Sequence, residues 1–289
     1  MLTIALTIML PASIGILNIT GSSKITELPR SIGNLGCLQY ICLSGCSGIS
    51  ELAESFGDLK CMVHLDMSGC SGLTELPDSL GNLTNLQHLE LSGCSRVKAV
   101  PQSLCGLTQL QYLNLSSCAY LEGLPEGIGS LVGIKYLNMS GCVHIRGLPE
   151  SMMKLQSLWH LNLSRCRRMR RGSLACLRGL TALQHLDISH SRDSYHNDLL
   201  VDLPNLTNNL KYLSLSHCYT LRYFTSHHKD LLDDFITSLT DLDHLDLSHN
   251  YKLGYLPKSI GSLKRLRTLD LSYCSQLKSL PESIRTLGL

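Results

Sequence analysis

Cys46, Cys70, Cys94, Cys118, Cys142 and Cys166 follow one another at intervals of 24 residues without error. Each closes one phrase, LxxLxLSxC or a near variant, as in "LQYICLSGC", "LQHLELSGC" and "LWHLNLSRC". Cys218 and Cys274 rejoin the series after a change of rhythm. Ser191 ("LQHLDISHS") and Asn250 ("LDHLDLSHN") fill the slot in two more copies, and Ser22 in "IGILNITGS" stands 24 residues before Cys46. Eleven copies of one phrase leave few folds open. A unit this short cannot bury its apolar residues alone, so successive copies must stack and share a continuous core. The 289 residues would accommodate two ordinary domains, yet the repeat runs nearly end to end and argues for one elongated array.

The segment "LQHLELSGCSRVKAVPQSLCGL" (Leu86 to Leu107) shows how one coil is built. Leu89 and Leu91 alternate with His88 and Glu90, which predicts a short strand with leucine on one face and polar groups on the other. Ser92, Gly93 and Cys94 turn the chain inward, and Val97 and Val100 return to the core. Strands one coil apart must run parallel. Parallel sheets are normally covered on both faces, so polar residues at alternate positions predict a solenoid with one face left open. The second half reads "LPxSIGxL", with Pro29, Pro77, Pro125, Pro149, Pro257 and Pro281 in one slot. Proline suits an extended or turning segment, and the Ser-Ile-Gly that follows has room for a single turn of 3₁₀ helix.

The rhythm breaks after Cys166: the next slots come 25, 27 and 32 residues on, at Ser191, Cys218 and Asn250. The added length falls within residues 190–241 and predicts longer loops, with a helix around Asp230 to Leu239. At the other end, "MLTIALTIML" alternates Leu or Ile with Thr, Ala and Met. No basic residue precedes it, so residues 1–13 are read as a strand covering the first coil rather than as a signal peptide.

Composition bounds the function. Hydrophobic residues make up 44%, with three Phe and one Trp, so the core is aliphatic. A formal charge of +2 suggests neither nucleic acid nor a membrane surface as partner. Parallel cysteines one strand apart do not offer the Cβ geometry of a disulfide, and reduced thiols point to the cytoplasm. The sequons at Asn18, Asn114, Asn138 and Asn162 arise automatically from the phrase LNLS or its variants, and those at Asn82 and Asn205 lie outside it. There is no GxSxG nucleophile turn and no GxxxxGK[ST] phosphate loop, so neither catalysis, a cofactor nor a small-molecule substrate is expected.

The open face can be read by column. One column holds Tyr40, His64, His88, Tyr112, Tyr136, His160, His185, Tyr212, His244 and Thr268. Two residues on come Cys42, Asp66, Glu90, Asn114, Asn138, Asn162, Asp187, Ser214, Asp246 and Asp270, while Trp159 flanks His160. Tyr, His and Trp offer large amphipathic area at low entropic cost, which predicts a protein-binding face. His64, Asp66, His88 and Glu90 could form a two-by-two cluster of zinc-type ligands. Side chains standing perpendicular to a sheet diverge, however, and no metal is expected. Arg165, Arg167, Arg168, Arg170 and Arg171 form a separate basic cluster suited to an acidic partner or to a solvated edge.

The combined phrase LxxLxLSxCxxLxxLPxSIGxL resembles the leucine-rich repeat region of plant nucleotide-binding leucine-rich repeat disease-resistance proteins. "LNLSSCAYLEGLPEGIGSL" and "LDLSYCSQLKSLPESI" carry the resemblance most fully, over about residues 14–289. It implies an α/β solenoid of about eleven repeats: a horseshoe with a parallel concave β-sheet and short 3₁₀ or irregular convex segments. It also implies a role in defence, sensing a pathogen effector or guarded host protein, or holding a nucleotide-binding module in cis or trans. The family's nucleotide-binding and signalling domains are not in this sequence. The array starts and stops without closing coils, so a longer chain or a partner is expected at its ends. Two rivals read the same phrase otherwise. Secreted receptor-like or inhibitor-type arrays favour "IPxxLGxL" with Asn in the ladder. Intracellular Ras-associated scaffolds share "LPxxIGxL" but also prefer Asn.

Overall fold

A computed structural model describes residues 11–170, 172–191, 209–218 and 229–287. The covering strand expected within 1–13 lies outside these residues, except that 11–13 run into a turn rather than a strand. The described chain divides into two compact units, Met1–His144 and Ile145–Leu289.

In the first unit β1 (Ile16–Asn18), β2 (Tyr40–Cys42), β3 (His64–Asp66), β4 (His88–Glu90), β5 (Tyr112–Asn114) and β6 (Tyr136–Asn138) follow chain order. Each pairs with the next in parallel, and Tyr40, His64, His88, Tyr112 and Tyr136 stand opposite one another in register. In the second unit β7 (His160–Asn162), β8 (His185–Asp187), β9 (Tyr212–Ser214), β10 (His244–Asp246) and β11 (Thr268–Asp270) pair in the same way. There the opposed residues His160, His185, Tyr212, His244 and Thr268 are 25, 27, 32 and 24 positions apart. Unequal coils therefore keep one register, because a slip would turn every leucine to solvent. The extra length stays outside the sheet.

The central residue of each strand lies under the sheet. Leu65, Leu89, Leu113 and Leu137 in one unit, and Leu161, Leu186, Leu213 and Leu245 in the other, are fully buried. Opposite the strands, proline in an extended conformation leads into five-residue 3₁₀ turns such as Asp78–Asn82, Gln102–Gly106 and Lys258–Ser262. The Pro77 carbonyl accepts the Leu80 N–H at 3.1 Å and so opens the turn. Adjacent turns are close: a Cβ on Gly81 would stand 2.4 Å from the Ser103 carbonyl oxygen, so that coil needs glycine there, whereas Cys105 and Met153 fill the slot in two other turns. One coil of the second unit replaces this turn with a true helix, α1 (Lys229–Ser238), where the sequence predicted one. It buries Phe235 and Ile236, and Asp233 accepts the Ser259 N–H of the next coil at 3.2 Å. The other lengthened stretch, 192–208, lies outside the described residues.

The cysteine ladder has a specific bonding role. Each thiol reaches back one coil to a strand-end carbonyl: Cys46 to Ile19, Cys70 to Leu43, Cys94 to Met67 and Cys118 to Leu91, each at 3.2 Å. Cys142 reaches Leu115 at 3.0 Å, Cys218 reaches Ile188 at 3.4 Å and Cys274 reaches Leu247 at 3.2 Å. Asn250 makes the same cross-coil bond, from Nδ2 to the Leu215 carbonyl at 3.0 Å, and adds the Leu247 and Ser248 carbonyls at 2.7 and 3.3 Å. Ser191 is too short to cross and bonds only within its own turn, to Ile188 at 2.6 Å. Burial pushes the Cys70 thiol up to about 12 and also raises Cys94 and Cys118, so these groups stay protonated donors.

Candidate protein-interaction face

In-register parallel strands place equivalent residues about 4.8 Å apart, close to the separation of stacked aromatic rings. A column of planar side chains therefore stacks continuously. In the first unit ring centroids follow at 4.5 Å (Tyr40–His64), 4.1 Å (His64–His88), 3.9 Å (His88–Tyr112) and 4.5 Å (Tyr112–Tyr136). All four interplanar angles are 16° or less. In the second unit His160–His185, His185–Tyr212 and Tyr212–His244 stack at 4.1, 4.0 and 4.7 Å. Trp159, 45% exposed, meets His160 edge-on at 5.5 Å. The second stack ends after His244, where Thr268 replaces a ring.

Stacking makes these rings half-buried, and burial shifts their titration. It depresses His64, His88 and His185, and takes His160 down to about 4. It raises Tyr40, Tyr112 and Tyr212. His64, His88, His160 and His185 and the three raised tyrosines are thus uncharged at neutral pH. The column's ring faces are covered by one another, the ring margins meet solvent, and Nδ1 of His88 and of His185 is buried without a hydrogen-bond partner among the described residues.

The neighbouring polar column works mainly for the scaffold. Asp66 Oδ1 accepts the Ser68 N–H at 2.8 Å, Glu90 Oε1 accepts Ser92 at 2.9 Å, and Asn114, Asn138 and Asn162 accept Ser116, Ser140 and Ser164 at 2.9 Å. Asp187, Asp246 and Asp270 do the same for Ser189, Ser248 and Ser272 at 2.9, 2.9 and 2.8 Å. These side chains satisfy the N–H that the turn into the ladder leaves unpaired. Several second oxygens are also engaged: Glu90 Oε2 accepts Asn114 Nδ2 at 2.9 Å and the Tyr112 hydroxyl at 3.2 Å, and Asp246 Oδ2 accepts Ser214 at 2.9 Å. The sequence aligns both columns on one face but does not reveal that the Asp, Glu and Asn members of the second cap their turns.

The His64, Asp66, His88 and Glu90 quartet does not converge. The two imidazoles lie face to face, so their nitrogen lone pairs run parallel rather than towards one point. Among the described residues no group of three or more His, Cys, Asp or Glu is arranged to hold a metal ion.

Sequence profiles agree with this architecture. The family described as leucine-rich repeat region matches residues 16–101 and 89–247, and single leucine-rich repeats match 241–263 and 265–287. The chain belongs to the leucine-rich repeat family. No curated protein matches it by sequence. Among solved structures it is similar to a leucine-rich repeat protein of Leptospira interrogans, at 27% identity and a TM-score of 0.54, covering 91% of this chain and 74% of that one. The mouse RP105/MD-1 complex gives 25% identity and a TM-score of 0.56, covering 87% of this chain and 40% of that one. The repeat ectodomain of the plant membrane receptor kinase GASSHO1/SCHENGEN3 from Arabidopsis thaliana, at 20% identity and a TM-score of 0.52, shares the fold; 93% of this chain matches 33% of that one.

One column of the repeat escaped the sequence reading. The residue just before the ladder slot is left-handed in every described coil. It is Gly45, Gly69 and Gly93 early on, and Arg165, His190, His217, His249 and Tyr273 later. The latter rings stack as well, His190–His217 at 4.3 Å, His217–His249 at 4.2 Å and His249–Tyr273 at 4.3 Å. The signal was present in the change from "SGC" to "SRC", "SHS", "SHC", "SHN" and "SYC".

Proposed function

We propose that the chain is a non-catalytic protein-recognition module of plant innate immunity, acting in the cytoplasm and binding a protein partner on the ring-bearing face of its sheet. The observation that carries this reading is the pair of continuous ring stacks. They present preorganised amphipathic area at no further entropic cost, and an interface gains most from such area. The defence assignment rests on the phrase itself, with cysteine in the ladder and "LP" opening the second half. The partner is a pathogen effector, a guarded host protein or a nucleotide-binding module in cis or trans. The mouse relative was solved as a complex with MD-1, which supports a binding rather than a catalytic role.

A reduced compartment is supported by what the sequon asparagines do. Asn114 uses both side-chain atoms, Oδ1 for the Ser116 N–H and Nδ2 for Glu90, and Asn138 Nδ2 lies 3.4 Å from the Tyr136 hydroxyl. A glycan on either nitrogen would break these bonds and cover the rings.

Replacing Tyr112 and Tyr136 together by alanine should weaken binding to a cytoplasmic defence partner by at least tenfold, a loss of about 1.4 kcal/mol, while the fold stays intact. Titration calorimetry with the purified partner reads the effect. Undiminished affinity in a folded double variant removes the ring face from the function, and glycosylation of Asn114 or Asn138 in a plant host removes the cytoplasm.

A further inference from the structure

The left-handed column of the second unit is chemically unlike its counterpart. At Arg165, His190, His217, His249 and Tyr273 φ lies between 53° and 62°, where the first unit has mostly glycine. A residue with a Cβ is strained in that conformation. Ring stacking offsets the strain only in part. Stability alone therefore gives little reason to replace glycine on five successive coils. Strain kept in one line across a surface points to a use for that surface.

Positive charge is concentrated at one end of the line. Arg165 opens it, and the charges of Arg165 and Arg167 add to burial in depressing His190. Arg168 and Arg170 continue on the same coil, and all four arginines are exposed. None of them is ion-paired with a described carboxylate. The carboxylates nearby, Asp187, Asp246 and Asp270, each commit one oxygen to a turn N–H. Tyr251, 51% exposed, stands edge-on to His217 and His249 at 6.1 Å, and Tyr273 is 68% exposed. The rim offers guanidinium donors, imidazole N–H groups and phenol hydroxyls in a row.

We propose that this rim is a second docking surface, taking an acidic extended segment of a partner protein. Arg165 and Arg167 bind its carboxylates, and the ring edges of His190, His217, His249 and Tyr273 bind its acceptors. Charge complementarity selects the occupant. A nucleic acid is disfavoured because the ring faces cover one another and leave no slot in which a base could stack.

The test uses the full chain and a fluorescein-labelled polyglutamate peptide at low salt, read by anisotropy. The variant Arg165→Gly with His217→Gly and His249→Gly installs the residue of the first unit and relieves backbone strain. It should melt no lower than the parent yet bind the peptide at least tenfold more weakly. The Tyr112→Ala, Tyr136→Ala variant should bind it like the parent, which separates this rim from the ring face. Unchanged peptide binding in the glycine variant overturns the proposal. So does a fall in its melting temperature with binding intact, or tighter binding of a single-stranded oligonucleotide of equal charge.

Discussion

Each unit keeps its own strands in register, but the two meet that demand differently. From β1 to β6 every coil has the same length, glycine fills most left-handed positions, and every described slot from Cys46 to Cys142 bonds back through a thiol. From β7 to β11 three coils are lengthened, the slot changes to Ser191 and Asn250, and arginine, histidine and tyrosine replace glycine. The sheet is indifferent to these changes because it sees three residues per coil. What differs is how each turn is held and what its rim displays. A repeat scaffold of this type lets the bonding at the turns, and the surface above them, change while the core stays fixed.

The largest separation of the two units should come in acid. His64 and His88 are depressed in the first unit. In the second, His185, His190 and His217 are depressed and His160 is held down to about 4, burial being the main cause throughout. A folded pKa below the unfolded value of about 6.5 means that the unfolded chain binds more protons. The stability from these groups is complete above about pH 6.5 and is lost as pH falls through the folded values, for His160 down to about 4. Hydrogen exchange followed from neutral pH downwards should show β7–β9 losing protection before β2–β5. Simultaneous loss would mean that the units do not differ in this respect.

A middle-sized effect concerns the slot. Removing the Asn250 side chain leaves the Leu215, Leu247 and Ser248 carbonyls without this donor, so Asn250→Ala should cost about 2 kcal/mol. Cys94→Ala loses one weak thiol bond and should cost about half as much by the same reasoning. Urea denaturation compares them, and equal losses would show that the asparagine is merely a tolerated substitute for cysteine. The smallest effect is on the rim. Gly93→His places a Cβ at a φ of 73° without the full stack of the second unit, and should destabilise by about 1 kcal/mol. A neutral result would mean that the left-handed histidines of the second unit cost nothing.

Much of this molecule was legible in its sequence. The 24-residue period fixed the coil, period-two alternation in "HLEL" fixed which leucine points inward, and "LPxSIG" announced a proline-led 3₁₀ turn. The columns of the open face could also be aligned, because equal register follows from a repeated phrase. Even the helix at Lys229–Ser238 was visible as added apolar length. These features are local or periodic, and local physics is written along the chain. Three matters needed coordinates, because each depends on a neighbour one coil away. The thiols prove to be donors to carbonyls 27 to 30 residues earlier. The acidic column proves to be occupied with capping turns. The aligned rings prove to be stacked at 3.9 to 4.7 Å, which leaves them half-buried and holds His64, His88, His160 and His185 neutral. Sequence determines which residues share a column; only the spacing between coils decides whether they merely align or touch, and the charge and reach of a surface follow from that contact.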